Sequence, residues 1–415
     1  MAVNADMLPA DVLLRIFSMC TYDDIVKTIP HVCSWWREVW RDKHLWKYKL
    51  YRPTCTNKEV IDMLELSPHL HGIDFSNCDF NIQIVEALRE HCPELEQLCI
   101  SSEMLHGVTK FNMTEIFNYI KVLIVNRRGR FCNALNCISN HFPNLEHLKF
   151  DNSYFTRGDL LHFLKVMQYR LRTLALRCNT SDGYCVLPYL QIGTQLESLS
   201  LLYLCDNVKQ LPLDKVVHVR HVSSLSLEVS RVNFVNDGMT ILTFFPNIVE
   251  LYLFNCSISG EDFFHTTGYS CPLLKKLTLR SCSSLFEDHN LKNLKYFRKL
   301  TSLVIYNDDY IINEDVNHLQ TLSELSYLEL YDCKLLNTKC LEVICGFIKL
   351  QVLKFDLRYK IFQIHLTAAH LKNPNLQLIF YRCKDFITLE ELRKQRLRVS
   401  ALGEKVYTLR ESVVL

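Results

Sequence analysis

The sequence predicts an α/β repeat protein. A short N-terminal α-helical segment leads into a right-handed α/β horseshoe solenoid, with parallel strands on the concave face and helices outside. Three observations predict this. A Leu-x-x-Leu-x-Leu pattern recurs every 25 or 26 residues from position 70 to position 375. The ninth place of that pattern is enriched in cysteine. The first fifty residues abandon the period and space their apolar residues by three and four. The expected organisation is a helical segment over 1–53, about 13 repeats over 54–384, and a C-terminal cap or tail over 385–415.

Leu13, Ile16, Phe17 and Cys20 share one helical face, and Pro9 suits a helix's first turn, where no backbone N–H is needed. Three short helices are expected near 9–19, 22–28 and 31–43, with a fourth near 44–50. About forty residues cannot bury a core alone, so this segment must lean on the repeats or on a partner.

Repeat blocks begin at 70, 95, 120, 145, 171, 196, 222, 248, 274, 300, 325, 350 and 375. Their first, fourth and sixth places make 39 positions, of which only Asn375 is not apolar. Chance would supply about 19 apolar residues there. The ninth place is cysteine in five blocks, at Cys78, Cys256, Cys282, Cys333 and Cys383. Chance would supply about 0.6. Alternation within Leu-x-Leu makes a strand whose fourth and sixth residues face inward. A cysteine or asparagine at the ninth place can then satisfy backbone groups turned into the core. The rest of each block should return as a helix, for example over 82–92, 156–167 and 337–345, with Thr156 and Asn337 where an N-cap belongs. The block from 196 has the weakest helix, a short stretch at 211–215 carrying Pro212. Beyond 384, residues 390–399 read as a short charged helix, suited to covering the open end of the array.

The periodic pattern resembles the leucine-rich repeat family. The ninth-place cysteines and the Cys-Pro pairs at Cys92-Pro93 and Cys271-Pro272 resemble its cysteine-containing subfamily. Before them, Leu8, Pro9, Leu13, Ile16, Phe17, Asp24, Val32, Cys33, Trp36, Leu45 and Trp46 fall in the order of an F-box. Asp11 stands for the usual Glu, Cys20 and Ile25 stand for Leu, and the stretch from Asp24 to Val32 is one residue longer than the commonest spacing. The chain thus resembles an F-box protein with leucine-rich repeats. The resemblance implies a substrate-recognition subunit of an SCF-type cullin–RING ubiquitin ligase. The F-box would dock on a Skp-type adaptor, and the repeats would hold a protein substrate. Leu8, Pro9, Leu13, Ile16, Phe17, Val32, Cys33, Trp36, Leu45 and Trp46 would make the adaptor surface, although Trp36 and Trp46 suit the bundle's own core equally well. A plain repeat scaffold with no ligase role is the alternative.

The outward places of each strand line the concave face. From Tyr252 onward they are rich in Tyr, Phe and Arg: Tyr252, Phe254, Arg280, Tyr306, Tyr327, Glu329, Tyr331, Lys354, Asp356 and Tyr381. These types anchor interfaces, so a substrate is expected there. The competing reading is that the tyrosines merely suit a strand and pack on each other.

Composition excludes other classes. Lys and Arg number 47 against 45 Asp and Glu, a net charge of +2, which argues against a nucleic-acid surface built on Lys149, Arg177, Lys276 and Arg280. The 18 cysteines include no Cys-x-x-Cys pair, so neither a zinc ribbon nor a redox dithiol is expected. No phosphate-cradling loop, His-Glu-x-x-His or Gly-x-Ser-x-Gly occurs. A non-catalytic chain without cofactor or metal, in the cytoplasm or nucleus and away from membrane, is the expectation. The N-terminus has no signal-peptide pattern, and no apolar run is long enough to span a bilayer.

Overall fold

The computed structural model describes residues 8–46, 50–53, 57–67, 69–76, 81–105, 116–126, 134–151, 155–177, 190, 192–204, 218–229, 242–256, 261–337, 339–344, 346–356, 373, 376–381 and 399–401. The chain forms two compact units, Met1–Leu176 and Arg177–Leu415.

The first unit opens with five short helices: α1 Ala10–Met19, α2 Tyr22–Lys27, α3 Ile29–Val32, α4 Ser34–Trp40 and α5 Lys43–Trp46. The helix expected over 31–43 is broken. Pro30 suits the first turn of α3, and Cys33 is extended at φ −159°. The Cys33 thiol then accepts the Trp36 amide at 3.4 Å and caps α4. Thr21 caps α2 by accepting the Asp24 amide. Leu13, Phe17, Ile25, Val26, Ile29, Val39, Trp40, Leu45 and Trp46 form the bundle core. Trp46 fills its centre, its indole N–H donating to the Trp40 carbonyl at 3.0 Å.

The bundle leans on the repeats, as its small size requires. Tyr22 stacks on Tyr51 with ring centroids 4.2 Å apart, shares a hydrogen bond with the buried Ser67 hydroxyl, and meets Trp46 edge-on. Burial pushes the Tyr22 phenol well above its ordinary pKa, so it stays a neutral donor.

In this unit β1 Leu50–Tyr51, β2 Gly72–Asp74, β3 Gln97–Ser101, β4 Val122–Asn126, β5 His147–Phe150 and β6 Thr173–Arg177 pair in parallel, each with the next. Leu98, Leu123, Leu148 and Leu174 stand in one register row. All four are buried, each contributing about 1.5–3 kcal/mol relative to exposure. The returns are helical. α6 is Asn57–Glu65; α7, Ile82–His91, is capped by Asn81. Arg157–Met167 is capped by Thr156 in a reciprocal box with Asp159.

In the second unit β7 Ser198–Leu204, β8 Ser224–Val229, β9 Glu250–Phe254, β10 Lys276–Arg280, β11 Ser302–Tyr306, β12 Tyr327–Tyr331, β13 Val352–Asp356, β14 Gln377–Tyr381 and β15 Val399–Ala401 again pair in parallel and in order. Every one of the thirteen expected blocks holds a strand at its predicted place. Two strands lie outside those blocks. β1 starts the sheet inside the segment assigned to 1–53, and β15 extends it into the segment assigned to 385–415. The helix expected over 211–215 lies outside the described residues, as does that expected over 390–399 up to its last residue, Val399, which begins β15 instead.

The ninth place does what its chemistry predicts. The Cys256 and Cys282 thiols donate to the sixth-place carbonyls one repeat back, Leu227 and Leu253, and to the carbonyls of Phe254 and Arg280. Cys333 donates to the Tyr331 carbonyl. Among the described residues ten cysteines are free thiols, eight of them buried. Burial pushes Cys92, Cys99, Cys137 and Cys271 up to about 12, which leaves them inert as nucleophiles.

Three features were not expected. The eighth-place residues Asn255, Ser281, Asn307 and Asp332 all have φ between 50° and 55°. This left-handed step lets the amides of Asn255, Ser281 and Asn307 reach the carbonyls of Arg280, Tyr306 and Tyr331, so the ladder runs one residue past each strand. The returns Ser283–Tyr296 and Asp315–Thr321 are 3₁₀ rather than α. Their buried residues explain it: Leu285, Leu291, Leu294 and Phe297, then Val316, Leu319 and Leu322, fall on a period of three. Gly268, inside the helix Glu261–Ser270, lets that 3₁₀ return come close, since a Cβ there would lie 2.7 Å from the Cβ of Tyr296.

Candidate functional site

Two surfaces carry residues that folding does not use. The first is on α1, which has two apolar stripes. Leu13 and Phe17 point into the bundle, where Phe17 meets Trp36 at 5.1 Å. Pro9, Val12, Ile16 and Met19, spaced by three, four and three, lie on the outside. Ile16 is 41% exposed and Met19 82%, and Val32 at the end of α3 is 50% exposed. α4 steadies the start of this helix, the Trp35 indole N–H donating to the Leu8 carbonyl at 3.0 Å.

This arrangement divides the adaptor residues expected from sequence. Leu8, Pro9, Ile16, Val32, Cys33 and Trp36 are exposed or half-buried and accessible. Leu13, Phe17, Leu45 and Trp46 are buried in the bundle's own core, so they build the surface without presenting it. The reason is helical geometry: Phe17 lies about 100° round the helix from Ile16, on the stripe that Leu13 starts. Val12 and Met19 were missed. Their signal was present, since apolar residues nearly all round a surface helix leave one face for something else.

The second surface is the strand face of the second unit, where the predicted residues come together in register. Tyr327, Glu329 and Tyr331 on β12 stand beside Ser302, Val304 and Tyr306 on β11. The Tyr306 hydroxyl donates to Glu329 Oε1 at 2.6 Å and the Tyr327 hydroxyl to Oε2 at 2.5 Å. Lys354 Nζ lies 3.7 Å from Oε2 and 5.4 Å above the Tyr327 ring. The Tyr306 and Tyr331 rings are 5.5 Å apart and tilted. Glu329 is only 4% exposed. Its carboxylate is held between Tyr306, Tyr327 and Lys354. The tyrosines also pack laterally, Tyr306 against Tyr331, as the competing reading held.

Further along, Glu250 accepts from Tyr252 at 3.0 Å and pairs with Lys276 at 2.5 Å. Burial, then the Glu250 charge, pushes the Tyr252 phenol up to about 12, keeping it a donor. Phe254 and Arg280 occupy neighbouring register positions, both half-buried. The side chains of Asp356 and Tyr381 lie outside the described residues.

Other chemistry is sparse. Among the described residues no group of three His, Cys, Asp or Glu could hold a metal ion. No described helix is long and apolar enough to cross a membrane.

Comparison with known proteins bears on the N-terminal bundle and on the fold. Residues 5–52 match the F-box-like family profile. No curated protein sequence matches the chain. Among solved structures, a chain of the Rad7 and Elc1 complex from yeast is similar at 15% identity with a TM-score of 0.51, covering 83% of this chain and 92% of that one. The internalin inlF from Listeria monocytogenes is similar at 15% identity with a TM-score of 0.37, covering 73% of this chain and 84% of that one. At such identity the first likeness speaks for the fold. The N-terminal bundle is thus an F-box-like domain, the kind of module that docks on an adaptor, and the parallel strands after it are leucine-rich repeats, an organisation that fits an F-box protein with leucine-rich repeats.

Proposed function

We propose that the chain is a substrate-recognition subunit of an SCF-type cullin–RING ubiquitin ligase, acting without chemistry of its own in the cytoplasm or nucleus. The exposed stripe of Pro9, Val12, Ile16 and Met19 on an F-box-like domain carries this reading. An apolar stripe on a helix already packed by its opposite face suits a protein groove, because removing it from water is favourable at about 25 cal/mol per Å². The Skp-type adaptor would link the chain to the cullin–RING core. The strand face around Tyr306 and Tyr331 would hold a protein substrate. The contribution to reaction is then effective concentration: a substrate lysine is kept near the charged conjugating enzyme. The similar yeast fold comes from a two-protein complex, Rad7 with Elc1, which agrees with a repeat chain built to work beside a partner.

Co-purification tests both halves. The intact chain should form a stoichiometric complex with a Skp-type adaptor, lost in Leu8→Ala/Pro9→Ala. Tyr306→Ala/Tyr331→Ala should keep the adaptor and lose captured substrate by tenfold or more. An intact chain that holds no adaptor would leave a leucine-rich-repeat scaffold outside the ubiquitin system.

A further inference from the structure

The strand face of the second unit keeps one charge in reserve. Glu250 is matched by Lys276 and Tyr252; Glu329 by Lys354, Tyr306 and Tyr327. Glu228 accepts from the Asn255 side-chain amide at 3.2 Å. Among the described residues of β8 to β13, Arg280 is the charged side chain of this face with neither a hydrogen bond nor an ion pair. It is half-buried, its Cα paired with Phe254 on one side and Tyr306 on the other. Neighbouring strands stand about 4.8 Å apart, so two aromatic residues stand beside Arg280 in its register row, and among the described residues its five guanidinium N–H donors have no acceptor. A guanidinium beside low-dielectric walls is where a carboxylate fork is worth most.

We propose that Arg280 anchors an aspartate or glutamate side chain of a protein substrate, with Phe254, Tyr306 and Tyr331 receiving apolar side chains next to it. The inference rests on the receptor reading above and names the substrate class that the face selects. Charge decides for a carboxylate over a phosphate. A phosphorylated side chain carries about −1.5 to −2 near pH 7, whereas one free guanidinium balances a single negative charge. The nearest other cation on β10, Lys276, lies four residues away, about 13 Å along the strand, and Glu250 already holds it. Glu228 sits two strands from Arg280 in the same register row and would repel the excess.

The test uses the full chain co-purified with its adaptor and a random dodecapeptide library displayed on phage. Selected peptides should share an Asp or Glu, and Ala at that position should weaken binding about 10- to 100-fold. Arg280→Gln should weaken the parent peptide as much, yet cost the Ala peptide nothing further, since contacting partners are non-additive. Arg280→Lys should restore part of the affinity, and melting curves of both variants should match the parent. Phosphoserine in place of the acid should bind no tighter.

Peptides without a shared acid, or fully additive losses, would overturn the proposal. So would phosphopeptides that bind tenfold tighter. Those outcomes spare the receptor reading if the peptides still require Tyr306 and Tyr331. Peptides indifferent to Tyr306→Ala/Tyr331→Ala, or no selected peptide at all, would remove the binding face and the anchor with it.

Discussion

The F-box-like bundle and the strand face of the second unit are both incomplete, in different ways. The bundle leaves apolar surface uncovered along Pro9, Val12, Ile16 and Met19. The strand face presents half-buried aromatic rings together with a guanidinium, that of Arg280, unpaired among the described residues. Apolar burial is strong and undiscriminating, which suits a standing subunit contact. A desolvated charge pair demands its complement and penalises anything else, which suits selection among passing partners. The difference also lies in what each region needs in order to fold. About forty residues cannot close a core on all sides, whereas a repeat buries each strand against the next and can devote its outer face to polar detail.

The largest effect that would sharpen the contrast comes from adjacent residues on α1. Ile16→Asp should abolish adaptor binding, at least 100-fold, and leave the melting temperature within a degree or two. Phe17→Ala should cost about 3–5 kcal/mol of bundle stability, because Phe17 is fully buried. Co-purification beside thermal melting separates them; an Ile16→Asp chain that still holds adaptor would break the comparison.

The next concerns how the repeats handle a buried charge that they do not use for binding. Asp308 takes the ninth place that cysteine fills in neighbouring repeats. Its Oδ1 accepts the amides of Tyr310 and Ile311 at 2.9 and 2.8 Å, and its buried Oδ2 has no partner. Burial pushes its carboxyl up to about 6 from an ordinary 3.8. The native state therefore holds this proton to a higher pH than the unfolded chain does. Over the window from about 4 to about 6 the native state binds more protons, so stability falls as pH rises. Asp308→Asn should flatten that window and be more stable by about 1–3 kcal/mol at pH 7. Equal pH profiles in denaturant titrations would refute it.

The smallest effect tests the eighth-place step. Ser281 holds the left-handed conformation that Asn255, Asn307 and Asp332 adopt in sister repeats. Asparagine tolerates this region better than serine, so Ser281→Asn should add about 0.5 kcal/mol, read as a raised denaturation midpoint with an unchanged slope.

Much of the fold was legible. The fourth place, leucine in twelve blocks and Ile73 in the first, announced each strand and its register, because a side chain facing the core every 25 or 26 residues leaves a periodic trace. The ninth-place cysteines were legible as hydrogen-bonding groups for the same reason. The 3₁₀ returns were present as a period of three at Leu285, Leu291, Leu294 and Phe297, but a period of three resembles 3.6 over so few turns. The left-handed eighth place carries no glycine, the usual flag for positive φ.

For the candidate site, the sequence alone determined composition and face: an apolar first helix, and strands whose outward residues turn aromatic after Tyr252. The tertiary structure decided which of those residues are available. Phe17 and Trp46 went inward while Ile16 and Met19 stayed out, because a helix packed on one side sends neighbouring residues in opposite directions. Glu329 was taken up by Tyr306, Tyr327 and Lys354, and Arg280 was not, because pairing depends on which side chains three strands bring into register across gaps of 25 residues. Periodicity reports the direction in which a side chain points. It does not report what waits there.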